Sequence, residues 1–92
     1  MKTSGATRRV AYDVLQAVHE KDAYSNLVLP AALDHLKVTA RDAGLATEIT
    51  YGALRRQGSL DAVIDACASR TDTMDSSVRD VLRVGAYQLL FM

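Results

Sequence analysis

The side chains best suited to chemistry in this 92-residue chain are guanidinium groups, which occur as two adjacent pairs, Arg8-Arg9 and Arg55-Arg56. A guanidinium stays charged at physiological pH and donates in a rigid planar fork, so it suits holding a phosphate better than moving a proton. Tyr51 lies one helical turn before Arg55. Basic groups beside a ring suit RNA, because guanidinium groups hold phosphates while rings and guanidinium planes stack on unpaired bases. The same spacing fits a plainer arrangement, in which Glu48 and Arg55 form a solvated charged face and Tyr51 packs against a neighbour.

Other reactive residue types do not assemble into a catalytic set. No glycine-rich loop follows a strand, and His19 and His35 lack a cysteine or carboxylate set at metal-ligand spacing, which predicts surface or boundary positions for both. Asp61 and Asp65 lie one turn apart and are expected on a solvated face rather than as an acid-base pair. Cys67 is the single cysteine, which excludes an internal disulfide and a cysteine-built metal site; its apolar helical position predicts a buried, unreactive thiol. The chain itself is therefore expected to hold no catalytic residue, metal or cofactor.

Composition sets the frame for the arginines. Hydrophobic residues make up 49% and charged residues 24%, with one proline, which predicts one folded domain over residues 1–92. The net charge is zero, so the chain cannot coat nucleic acid by bulk electrostatics. Any such surface must be local: Lys2, Arg8 and Arg9 precede the first acid, whereas residues 10–50 hold six acids against three bases. No apolar run approaches the ~20 residues that span a bilayer, and the N-terminus lacks the apolar core of a signal peptide, so a cytoplasmic location without a membrane partner is expected.

Apolar residues recur at three- and four-residue spacing, which predicts five helices and an all-α class. The first covers about Ala6 to Glu20, with Val10, Val14, Leu15 and Val18 on one stripe and Arg8, Tyr12 and His19 along its border. The second lies within Ser25 to Leu36, with Pro30 as an alternative start. Thr39 and Asp42 resemble a capping box opening a third helix that reaches Arg56 or Gln57 and ends at Gly58. Ser59 is expected to cap the fourth, and a polar loop through Asp72 leads to the fifth, from about Ser76 to the end. Val78, Val81, Leu82, Gly85 and Leu89 form one face of that last helix, while Val84, Tyr87 and Phe91 point nearly opposite. A helix apolar almost all round needs cover on both sides, which predicts a chain truncated at its C-terminus or docked on a partner.

Several strings go further: ATRRVAYDVLQAV, AYSNLVLPAAL, TARDAGLATEITYGALRRQGSLDAVI and VRDVLRVGAYQLLFM. Together they resemble the NusB-like domain at the N-terminus of the Sun (Fmu, RsmB) family of bacterial ribosomal-RNA cytosine-C5 methyltransferases. The most specific pieces are Thr47-Glu48 and Tyr51-Gly52 leading into Leu54-Arg55-Arg56, with Leu82-Arg83, Gly85-Ala86-Tyr87 and Gln88-Leu89-Leu90. The resemblance implies a NusB-like helical bundle that engages ribosomal RNA. It also implies a parent protein whose further domain binds S-adenosylmethionine and carries the catalytic cysteines, none of which Cys67 matches.

Within that family pattern the RNA-contact role is carried to Arg8 and Arg9. Arg55 and Arg56, with Tyr51, are RNA-contact candidates too, although one arginine could instead tie the third helix to the fifth through an acid such as Asp80, and Arg83 could serve as a bridge of that kind. Val84, Tyr87 and Phe91 are expected as a docking face for the catalytic domain or for self-association. The leading function is thus a non-catalytic RNA-binding module of a methyltransferase. The alternatives are a protein-interaction module and a free-standing NusB-type antitermination factor.

Overall fold

The computed structural model describes residues 5–67 and 74–92, so Lys2 and the loop expected through Asp72 lie outside the described residues. Five helices appear in the expected order: α1 (Gly5–Lys21), α2 (Ser25–His35), α3 (Ala40–Arg55), α4 (Gln57–Cys67) and α5 (Ser76–Phe91). The first helix is the central element. Its apolar residues divide between two sides, Ala11 and Leu15 packing with Ile49, Ala53, Leu60, Val84 and Tyr87, and Val10 and Val14 packing with Leu29 and Ala46. One helix thereby joins α3, α4 and α5 in one core cluster and α2 and α3 in the other.

The helix ends follow local chemistry. Thr39 Oγ1 accepts the Asp42 amide at 3.2 Å, the expected cap of α3. Asp22 and Lys37 close the turns after α1 and α2 in the left-handed region, with φ of 52° and 51°. Pro30 sits inside α2 rather than at its start, since the helix already begins at Ser25, with the Tyr24 carbonyl accepting from Leu27 and Val28. The proline costs one backbone bond, to the Asn26 carbonyl one turn back.

The junction of α3 and α4 differs from the expected one. Gly58 neither ends α3 nor separates it from a Ser59 cap, because α4 starts at Gln57 and includes both residues. The break is Arg56 alone: its amide donates to the Gly52 carbonyl at 3.0 Å and its carbonyl accepts the Leu60 amide at 2.9 Å. One residue therefore closes one helix and opens the next. Cys67, at the end of α4, is exposed rather than buried. Its helix turns inward through Leu60 and Ile64, which leaves the last turn outside the core.

A buried polar network lies between α1, α4 and α5. Asp80 is fully buried, and a buried carboxylate is costly unless charges and donors meet it. Arg83 Nη1 meets it at 2.8 Å, Gln16 Nε2 at 2.6 Å and His19 Nδ1 at 2.9 Å. The same guanidinium grips Asp61 in a bidentate fork through its Nε–Nη2 edge, Nε donating to Oδ1 at 2.8 Å and Nη2 to Oδ2 at 2.9 Å. His19 Nε2 reaches Gln57 Oε1 at 2.7 Å. Arg79 extends the network to Asp65 at 2.9 Å, so Asp61 and Asp65 are ion-pair partners rather than a merely solvated face. Arg83 is the bridge the sequence allowed for, and the partners of Asp80 are Arg83, Gln16 and His19, not Arg55 or Arg56.

Across the molecule α5 passes so close to α3 that a β-carbon on Gly52 would overlap the phenol end of Tyr87, at its Cζ, Oη and Cε1. Tyr87 is itself buried, so the ring has little room to retreat.

Two outcomes follow. Gly52→Ala overpacks this contact and should cost about 1–3 kcal/mol, read as a fall in thermal midpoint of roughly 4–8 °C per kcal/mol for a domain of this size; an unchanged midpoint contradicts the contact. The hydrogen bond and charge of Arg83 hold the Asp61 carboxyl below its ordinary value of 3.8. Because the folded value is depressed, this stability is present above the unfolded value and is lost as pH falls through the folded one. Asp61→Asn should therefore be less stable than wild type at pH 7, and the gap should narrow below about pH 4 in an acid-unfolding series followed by circular dichroism.

Candidate nucleic-acid interface

The network at Asp80 sets how α5 is rotated, and that rotation decides which side chains meet at its other end. The helices α1 and α5 run antiparallel, with Gln16 and His19 on Asp80 at one end and Arg8 on Gln88 at the other. There Arg8 Nε donates to Gln88 Oε1 at 3.3 Å. One turn further along α5, the Phe91 ring carries the guanidinium of Arg56, its carbon 4.2 Å from the ring centroid. Phe91 also stacks on Tyr87, with centroids 5.5 Å apart and planes inclined by 28°. The last turn of α5 thus gathers two arginines that are distant in sequence.

The other candidates separate. Arg9 is exposed but engaged, its Nε 2.9 and 3.1 Å from the Asp13 carboxylate, so much of its charge is locally neutralised. Arg55 is exposed beside Arg56. Tyr51 is half-buried against the cluster of Val10, Val14, Leu29 and Ala46, the packing role the sequence left open. His19 lies at the boundary, as expected, and His35 is exposed.

The expected docking face is inverted. Val84 and Tyr87 are each only 4% exposed and belong to the core, while Phe91 is 39% exposed beneath Arg56. The apolar surface left open is the opposite one, where Val81 is 56% and Leu89 84% exposed, with Val78, Leu82 and Met92 alongside. The cause is periodicity: Asp80, Arg83, Val84 and Tyr87 share one side, and the buried charges turn it inward. Between the start of α1 and the end of α5 lies an open groove of about 740 Å³, floored by Leu45, Val81 and Leu89 and edged by Arg8, Tyr12 and Gln88.

Reasoning from sequence missed Gln88 as the partner of Arg8 and Phe91 as the seat of Arg56. The available signal was their three-residue spacing at the end of one helix. Among the described residues no cluster of His, Cys, Asp or Glu could hold a metal ion, and no helix is long and apolar enough to cross a membrane.

Among the described residues, the class is an all-α bundle of five helices arranged around a central first helix. The chain belongs to the NusB family, whose profile matches residues 5–92. It is similar to a candidate methyltransferase of Mycobacterium tuberculosis, with 52% identity over 84 residues, 90% of this chain and 18% of that protein. It is 34% identical over 87 residues to the ribosomal RNA small subunit methyltransferase B of Thermus thermophilus, covering 95% of this chain and 22% of the relative. With the protein of the same name from Erwinia tasmaniensis it shares 36% identity over 92 residues, 99% of this chain and 21% of the relative. The chain spans about a fifth of the length of these curated relatives. No solved structure matches it.

Proposed function

We propose that residues 1–92 form the RNA-binding, substrate-docking domain of a ribosomal-RNA cytosine-C5 methyltransferase, and that the domain is not itself catalytic. The observation that carries this reading is that Arg8 and Arg56 are both seated on the last turn of α5, on Gln88 and on Phe91, while Arg55, next to Arg56 in the chain, is exposed. Family membership and the names of the relatives support it. In this reading S-adenosylmethionine and the catalytic nucleophile belong to the rest of the parent protein, and the cytoplasm, where ribosomal RNA is made, is its location. Three phosphate contacts give weak binding, which raises the effective concentration of RNA at an attached catalytic domain without any need for specificity.

The open apolar face of α5 favours a second, compatible role. Val78, Val81, Leu82 and Leu89 lie on the opposite side of that helix from Asp80 and Tyr87. This face suits docking against the catalytic part of the parent, or self-association, while the arginines face RNA.

Fluorescence anisotropy of a labelled ribosomal-RNA hairpin over a salt series tests the RNA reading. Each phosphate neutralised contributes about 0.7 to the log-log salt slope for single strands, so three contacts give roughly 2. Arg8→Ala should lower the slope by about 0.7, and Arg9→Ala by less, since Asp13 already offsets its charge. A double Arg8→Ala, Arg9→Ala variant that binds as wild type does at every salt concentration overturns the assignment.

A further inference from the structure

We infer that Arg56, seated on Phe91, is a stacking platform for an unpaired RNA base; the inference rests on the RNA-binding reading and names the part of the nucleic acid that this end of the domain takes. Three observations carry it. The backbone of Arg56 is held on both sides, by the Gly52 carbonyl and the Leu60 amide, so its side chain leaves from a rigid point rather than a mobile loop. The guanidinium lies over the Phe91 ring, and Phe91 in turn stacks on the buried Tyr87, which anchors the column in the core. Arg56 is nevertheless exposed.

A guanidinium stacked through one face keeps its in-plane N–H groups available and offers its second face to another flat group. Unpaired nucleotides present both matching parts, a phosphate for the N–H edge and a base for the plane. Paired bases are already stacked on their neighbours, so a duplex offers this plane only its phosphates. Arg8, held by Gln88 one turn away on α5, provides the next cationic point along the strand. Arg56 is therefore a contact residue, and Phe91 a positioning residue that acts through it.

The test uses the whole 92-residue chain, a single-stranded RNA oligonucleotide carrying 2-aminopurine, and a fully paired RNA duplex of the same length. Arg56→Lys keeps the charge but loses the plane, and Phe91→Leu keeps an apolar side chain but loses the ring. Each should weaken single-strand binding by about tenfold, the scale of one base stack. The salt slope and duplex affinity should stay near wild type, and the 2-aminopurine quench should diminish. If both variants bind the single strand as wild type does while Arg8→Ala still weakens it, the platform is overturned and the RNA reading stands. A fall in thermal midpoint with unchanged single-strand affinity likewise makes the stack purely structural and overturns the platform. If wild type binds neither RNA at low salt, the RNA reading falls and the platform with it.

Discussion

Placement of the buried Asp80 carboxylate constrains the rest of this domain. Its partners come from α1 through Gln16 and His19 and from its own helix through Arg83, which also grips Asp61 on α4. Such a network contributes little net stability over an apolar core of the same shape, because desolvating the charges offsets much of their attraction. Its larger effect is directional. A helix is rigid, so turning Asp80 and Arg83 inward also turns Val84 and Tyr87 inward and leaves Val78, Val81, Leu82 and Leu89 outward.

That rotation produces the candidate site. With Tyr87 inside, its ring fills the space above Gly52, and any side chain larger than hydrogen at that position would push the two helices apart. Close approach there brings the one-residue junction between α3 and α4 beside the end of α5, where Arg56 finds Phe91. The antiparallel α1 brings Arg8 to Gln88. Packing thus seats two cationic groups on the last turn of α5, although the chain carries no net charge.

Much of the fold was legible because helical periodicity and capping are local. The five helices, the Thr39 cap and the central apolar stripes of α1 and α3 all follow from spacing within a few turns. What was not legible depended on long-range pairing. Both faces of α5 are apolar in sequence, and only the distant Gln16, His19 and Asp61, by pairing with Asp80 and Arg83, make the side that carries Val84 and Tyr87 the interior one. Cys67 has an apolar setting in sequence but lies where its helix leaves the core. In the site, the arginines were legible from residue type and the Arg9–Asp13 pair lies at a legible i,i+4 spacing, whereas the seating of Arg56 on Phe91 depends on long-range packing.

In the proposed function, RNA is met at the end of the bundle where α1, the α3–α4 junction and the last turn of α5 converge. The most direct test is nuclear magnetic resonance mapping of the isotope-labelled chain during titration with a single-stranded ribosomal-RNA oligonucleotide, following backbone amides and arginine Nε–H groups. Perturbations should concentrate at Arg8, Arg55, Arg56, Gln88 and Phe91 and spare Val78 and Leu82 on the outer face of α5. Perturbations confined to α2 or to that outer face, with Arg8 and Arg56 unmoved, contradict it.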